Sequence, residues 1–114
     1  LIIIMNWIPL TDLNQLETIQ DLSFTTPQVI LKHSTTCSIS KMSLARLERS
    51  EAPTSIQFYY LDLLNYRAIS NAIAEKFSVY HESPQILLIK NGECTYDESH
   101  GGIQMEEIVE QATR

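Results

Sequence analysis

The stretch VILKHSTTCSIS, residues 29–40, decides the fold of this chain. It opens with a short apolar run rich in β-branched residues, which is typical of a buried strand. A polar turn follows, and Cys37 then precedes an amphipathic segment that ends before Pro53, a residue that cannot continue a helix. The stretch therefore predicts a strand, a turn and a helix, with Cys37 in the first turn of that helix.

The position of Cys37 indicates a reaction class. The first N–H groups of a helix have no partner within it, and the helix dipole places positive potential there. Both effects stabilise a thiolate relative to a thiol, and the thiolate is the nucleophile of disulfide chemistry. The alternative is an inert buried cysteine, which is the usual state of a free cysteine in a folded protein.

Outward from residues 29–40, the periodicities predict the element order α-β-α-β-α-β-β-α. The first helix is predicted from leucine and isoleucine at helical spacing, at Leu13, Leu16, Ile19 and Leu22. Strands are predicted over 28–32, 56–61, 85–90 and 93–97.

The connections between these strands predict the topology. Asn91-Gly92 joins the last two strands and is a strong signal for an antiparallel hairpin. A helix joins the first two strands, and such a crossover makes parallel neighbours. The predicted fold class is α/β, with a four-stranded mixed sheet flanked by helices. Cys37 then lies at the carboxyl end of a strand, where ligands bind in open α/β sheets.

Length and charge indicate the number of domains and exclude some classes of function. The 114 residues fit a single domain, and a formal net charge of −6 argues against nucleic-acid binding, which depends on neutralising phosphates. The longest apolar segment, residues 1–5, is too short for a membrane span or a signal-peptide core. We expect a cytoplasmic monomer with no membrane partner. We interpret residues 1–4 as an N-terminal extension or a cloning remnant, and residues 5–114 as one domain.

A second feature, Ser83-Pro84 just before the third predicted strand, completes a pattern with Cys37. With it the chain resembles the thioredoxin superfamily, in which a cis-proline at this place lies beside the active cysteine. The peptide bond before proline is the one place where the cis form costs little, about 0.5–1 kcal/mol. The resemblance implies a thioredoxin-like fold, a cis bond before Pro84, and substrate contacts from Ser83, Pro84 and Thr36.

A closer resemblance is to the monothiol bacilliredoxin-like proteins of the bacillithiol system of low-GC Gram-positive bacteria. The residues that carry it are 32–40, 59–64, 82–85 and Gly92. The family's site typically reads T-C-P-I-S, and here Ser38 replaces the proline. The resemblance implies an oxidoreductase that removes bacillithiol from protein mixed disulfides and becomes S-bacillithiolated itself. It implies S-bacillithiolated proteins and free bacillithiol as partners, with bacillithiol as a thiol substrate and no cofactor.

The residues after Cys37 form a CxxS motif that ends at Ser40. In a CxxC protein the second thiol, about one helical turn on, resolves the mixed disulfide, whereas a hydroxyl cannot. The predicted mechanism is therefore monothiol. The Ser40 hydroxyl could donate a hydrogen bond to the Cys37 thiolate. His33 and Lys41 could stabilise it as cations. The alternative for His33 is a residue that simply caps the strand at the surface, and the alternative for Lys41 is a lysine that solvates a helix face.

The remaining candidates are weaker. Cys94 could resolve a disulfide at Cys37, but an edge strand far from the first strand favours a packing role, because a disulfide needs Cα atoms within about 7 Å. His81 and His100 have no partners at metal-like spacing, so we predict no metal site. Two other functions stay open, an iron–sulfur carrier of the monothiol glutaredoxin kind and a redox-inert adaptor.

Overall fold

A five-stranded mixed sheet forms the centre of the computed structural model, which describes residues 5–114. The strands are β1 (Trp7–Pro9), β2 (Gln28–His33), β3 (Gln57–Asp62), β4 (Gln85–Lys90) and β5 (Glu93–Ser99). The helices are α1 (Gln15–Leu22), α2 (Ser38–Glu48), α3 (Arg67–Lys76) and α4 (Met105–Thr113), with a short 3-10 turn at His100–Gly102. Residues 1–4 lie outside the described residues, so the division of the chain at Met5 stays a prediction.

The sheet order is β1-β3-β2-β4-β5. Strands β1, β3 and β2 are parallel, whereas β4 is antiparallel to β2 and β5 is antiparallel to β4. The predicted α/β class with a mixed sheet is confirmed. The crossover through α2 and the hairpin at Asn91-Gly92 join the strands as expected, with Asn91 and Gly92 both at positive φ.

The predicted number of four strands is wrong, because β1 adds a fifth. This strand has only three residues, so it carries no alternating pattern long enough to indicate a strand. It forms by pairing with β3, where Trp7 is in register with Phe58. The Trp7 ring also packs edge-on against Phe58, with ring centroids 6.0 Å apart. Its strand conformation therefore depends on a tertiary contact with a distant part of the chain.

Two layers of helices cover the sheet. On one face, α2 and α4 pack through Leu47, Met105 and Ile108 against residues such as Leu31 and Leu88. On the other face, α1 and α3 pack through residues such as Ile19 and Ile73 against the opposite side of the same strands. Strand β2 is buried along its whole length, as expected for a central strand covered on both faces.

Helix α1 is shorter than its apolar spacing predicts. It begins at Gln15, so Leu13 lies before it, and Leu13 and Leu22 are both exposed. Only Leu16 and Ile19 contribute buried side chains from this helix. Across residues 5–114, none of the helices is long and apolar enough to cross a membrane.

Candidate active site

The predicted site residues gather at one edge of the sheet. His33 ends β2 and is in register with Asp62, which ends β3. On the other side of β2, Lys32 is in register with Gln85, the first residue of β4. The Ser83-Pro84 segment therefore lies beside the end of β2, next to the turn that leads to Cys37.

Cys37 is the N-cap residue of α2, with extended backbone angles and a half-buried side chain. Its N–H donates to the Ser34 carbonyl at 3.2 Å, and its own carbonyl accepts from Lys41 N–H at 3.0 Å. Cys37 thus stands at the start of an eleven-residue helix, directly before the N–H groups that have no partner within a helix. The predicted position at the helix start is confirmed.

Helix α2 is tied to the proline through the turn that precedes α4. Ser43 Oγ donates to the His100 carbonyl at 3.1 Å, and the His100 N–H donates to the Pro84 carbonyl at 3.0 Å. These two bonds hold the first half of α2, the 3-10 turn and Pro84 together on one side of the molecule.

The Ser83-Pro84 peptide bond is cis, as expected, and Pro84 is buried. Within residues 5–114, neither the backbone N–H nor the carbonyl of Ser83 takes part in a hydrogen bond. Its buried hydroxyl also lacks a partner in that part of the chain. This peptide unit is therefore available to pair with another polypeptide. Thr36, the third residue predicted to contact substrate, is exposed directly before Cys37.

The predicted hydrogen bond from Ser40 to the Cys37 thiolate is not formed. Ser40 is fully buried, its Oγ accepts from the Ser34 N–H at 3.0 Å, and it lies 2.7 Å from His33 Nδ1. The reason is that the Ser34 N–H and the His33 ring, both at the end of β2, already occupy this hydroxyl. Ser40 therefore holds the turn at Ser34 onto the helix.

The predicted role of His33 as a cation is also wrong. The ring is buried, with 3% of its surface exposed, and stacks at an angle against Tyr60 with centroids 5.5 Å apart. Burial lowers the pKa of His33 below 6.5, an effect opposed by the carboxylates of Asp62 and Glu48 and reinforced by Lys41. The imidazole is therefore neutral at pH 7, and its role is to bind Ser40.

The Lys41 side chain is exposed, so its proposed effect on the thiolate stays a prediction. Its charge does reach the site, because it contributes to lowering the pKa of His33.

Cys94 lies far from Cys37. It is in register with Ile89, which pairs with Gln28 at the opposite end of β2 from His33. Five residues at about 3.3 Å each place the two ends of β2 roughly 16 Å apart, well beyond disulfide reach. Burial raises the pKa of the Cys94 thiol to about 11, and the thiol donates to the Tyr96 carbonyl at 3.3 Å. These observations support the packing role.

The sequence places the 62–64 segment at this edge, either as a wall of a thiol-binding groove or as a plain connecting loop, but it does not predict the two buried polar groups found there. Asp62 Oδ2 accepts from Asn65, while Oδ1 is buried and unpaired within the described residues. Lys32 is fully buried, with its Nζ 3.3 Å from His81 Nδ1. Nothing in an apolar run marks a lysine as buried, so only the burial of β2 on both faces reveals it.

Comparison with known proteins agrees with this geometry. The family model described as monothiol bacilliredoxin BrxC matches residues 8–108. The chain belongs to this family. Its site is therefore that of a monothiol redox protein with a single cysteine at the start of α2.

Solved structures give the same result for the fold. A protein described as an oxidoreductase with a thioredoxin fold is 32% identical, with a TM-score of 0.79 over 94% of this chain and 93% of that chain. A thioredoxin from Malassezia sympodialis is 17% identical, with a TM-score of 0.72 over 99% and 93%. Schistosoma mansoni thioredoxin is 18% identical, with a TM-score of 0.70 over 95% and 94%. The predicted thioredoxin-like fold and the predicted bacilliredoxin resemblance are both confirmed.

Proposed function

We propose that this protein removes bacillithiol from protein mixed disulfides in the cytosol, with Cys37 as the nucleophile. The observation that carries the proposal is a lone thiol at the start of α2 on the same side of the molecule as the unpaired peptide of Ser83. Family membership supports monothiol redox chemistry. The identity of the small thiol rests on the resemblance alone, and the cytosol is proposed because it keeps such a thiol reduced.

In the first step the Cys37 thiolate attacks the bacillithiol sulfur of a protein–bacillithiol mixed disulfide. A new disulfide forms between Cys37 and bacillithiol, and the old one breaks. The sulfur of the protein substrate leaves as a thiolate and takes a proton from solvent. Cys37 is oxidised and the substrate cysteine is reduced, so the electrons balance without a cofactor. Ser83 would pair with the substrate backbone and bring the disulfide to Cys37.

The reaction then stops with bacillithiol on Cys37, because the chain offers no second thiol within reach. Ser40 occupies the resolving position, but a hydroxyl does not attack a disulfide, and here it is bound to His33 and Ser34. Cys94 lies at the far end of β2. A free bacillithiol thiolate would therefore release Cys37 by attacking the bound bacillithiol sulfur, which gives bacillithiol disulfide and the Cys37 thiolate.

The test is intact-mass spectrometry after incubation with a bacillithiolated protein. We expect wild-type protein and Cys94→Ala to acquire one bacillithiol, located on Cys37 by peptide mapping. Cys37→Ala should acquire none and leave the substrate modified. Cys94→Ala is the matched control, since it removes the other thiol by the same substitution.

Two results would contradict the proposal. If bacillithiol stays on the substrate in the presence of wild-type protein, Cys37 does not perform this exchange. If glutathione mixed disulfides react faster than bacillithiol ones, the small thiol is misassigned. A visible charge-transfer band from the purified protein would instead favour an iron–sulfur carrier.

A further inference from the structure

Buried polar side chains contact the segment that leads to Ser83 and Pro84. Residues 79–84 have no regular secondary structure, yet they carry the peptide proposed to bind substrate. Two buried polar side chains of the sheet reach this segment, and they belong to Lys32 and Gln85, which are register partners on β2 and β4. Neighbours in register on antiparallel strands point to the same face of a sheet. The two side chains therefore contact residues 79–84 from the same face.

Gln85 binds the segment at two points. Its Nε2 donates to the Tyr80 carbonyl at 2.9 Å, and its Oε1 accepts from the Glu82 N–H at 3.4 Å. Lys32 supplies the contact between these points, with Nζ 3.3 Å from His81 Nδ1. Ser70 Oγ, from α3, lies 3.4 Å from the same ring nitrogen. His81 is thus the residue through which β2 and α3 both hold the segment.

Lys32 is an unusual residue to find here. It has 0% of its surface exposed, and buried lysines are rare unless paired with an acid. Among residues 5–114 its amine has the His81 nitrogen as its hydrogen-bond partner and forms no ion pair with a carboxylate. Burial lowers the pKa of Lys32 to about 8, so at pH 7 the amine is mainly protonated and donates to a neutral His81.

We propose that Lys32 is a positioning residue of the disulfide-exchange site, whose buried amine holds His81 and thereby fixes the backbone that presents Ser83 to a polypeptide substrate. The inference rests on the proposed function and adds that polypeptide substrates are the class that depends on the Ser83 backbone. A mixed disulfide on a polypeptide needs Ser83, whereas a small disulfide without a peptide backbone needs only Cys37. Lys32 therefore selects for protein substrates.

The contact should depend on pH. The charged groups that act on His81 are Lys32 from β2, Arg67 from α3 and Glu82 from its own segment, and Glu75 of α3 lines the same surface depression. Burial, Lys32 and Arg67 lower the pKa of His81 below 6.5, and Glu82 opposes them. When the pH falls through this lowered pKa, the ring gains a charge beside the ammonium. Both groups are then cations, so the contact breaks and the edge loosens.

The test compares Lys32→Met with wild type on two substrates. Methionine keeps an unbranched apolar stem like that of lysine but lacks the amine. For a bacillithiolated protein, we expect the second-order rate to fall by about tenfold, the size of losing one charge-assisted hydrogen bond. For 2,2′-dithiodipyridine, which has no peptide backbone, the rate should stay within about twofold. Lys76→Met, at an exposed lysine of α3, is the matched control and should resemble wild type on both.

A merely structural role would give different results. Removing an unpaired buried charge should leave the midpoint of urea unfolding unchanged or raise it, although exchange with protein substrates slows. In a His81→Ala background, Lys32→Met should have no further effect on the rate. In wild type, the ratio of protein to small-disulfide rates should fall as the pH is lowered from about 7.5 to 5.5. In Lys32→Met this ratio should be low and flat.

A third measurement separates this inference from the proposed function. The NMR titration of His81 should show a higher pKa in Lys32→Met than in wild type, because a neighbouring cation is gone. Amide exchange at residues 81–83 should also accelerate. Both are measurable even if wild type accepts no bacillithiol. Equal loss on both substrates, an unchanged protein rate, or an unchanged His81 pKa would each overturn the positioning role.

Discussion

Cys37 and Cys94 are both half-buried free thiols, yet their surroundings differ in kind. Cys37 lies where a helix begins, and its carbonyl accepts the first hydrogen bond of α2, from the Lys41 N–H. Cys94 lies in an edge strand against the apolar layer formed by α1 and α3. Burial and the carboxylate of Asp97 both raise the pKa of its thiol and so disfavour a thiolate.

The difference shows that reactivity depends on which end of the sheet a thiol occupies. Parallel strands β2 and β3 both end at the edge that holds Cys37, so helix starts and turns gather there. The same sheet leaves Cys94 in the antiparallel ladder between β4 and β5, where it is in register with Ile89. Exposed fraction alone does not separate the two thiols, whereas their neighbours do.

The largest effect should appear in alkylation by iodoacetamide. A pKa of about 11 instead of 9.0 leaves Cys94 with about a hundredfold less thiolate at neutral pH than an ordinary cysteine. We expect native protein at pH 8 to be labelled at Cys37 and hardly at Cys94. Labelling of Cys94 should rise steeply only as the pH approaches 11, since the folded state retains its proton until then. In urea both should react at similar rates. Equal labelling of Cys37 and Cys94 in the native state would contradict the predicted difference in their reactivity.

The second effect concerns Ser40→Cys, which places a second thiol about one helical turn after Cys37. The Cα atoms of a helix N-cap and its third residue lie about 5–6 Å apart, within disulfide range. We expect the bacillithiol adduct on Cys37 to become short-lived and an internal disulfide to replace it, visible as a mass two hydrogens below the reduced protein. Ser43→Cys, one turn further along α2, is the control and should leave the adduct intact. Persistence of the adduct in Ser40→Cys would show that position 40 cannot reach the sulfur.

The smallest effect is on stability. Ser40→Ala leaves the Ser34 N–H and His33 Nδ1 without their buried partner, which should lower the free energy of unfolding by about 1–3 kcal/mol. Ser38→Ala, the same change at an exposed position of the same helix turn, should cost less than about 0.5 kcal/mol. Urea denaturation monitored by the single tryptophan measures both. Equal values would mean that Ser40 does not stabilise the start of α2.

Much of the site followed from residues close together in the chain. The strand over 28–33, the helix after Cys37 and the hairpin at Asn91-Gly92 each depend on the pattern of a few neighbouring side chains. The CxxS spacing likewise predicted a monothiol because it shows directly that no thiol stands one turn after Cys37. These features needed no knowledge of what packs against them.

The roles given to His33 and Ser40 could not be predicted in this way. A histidine four residues before a cysteine is equally compatible with a solvated cation and with a buried neutral ring. The choice depends on Tyr60 and Asp62 from β3, which are distant in the chain. The same holds for β1, whose three residues form a strand only because β3 pairs with them.

The sequence by itself determined the order of elements from α1 to α4, the start of α2 at Cys37 and the absence of a resolving thiol at position 40. These properties depend on hydrogen bonds and periodicity within a few residues. Only the tertiary structure decided the protonation and partners of the polar groups, including the contact between Lys32 and His81, which are 49 residues apart. The physical reason is that charge depends on burial and on neighbours from other strands, and strand register is a property of the assembled sheet.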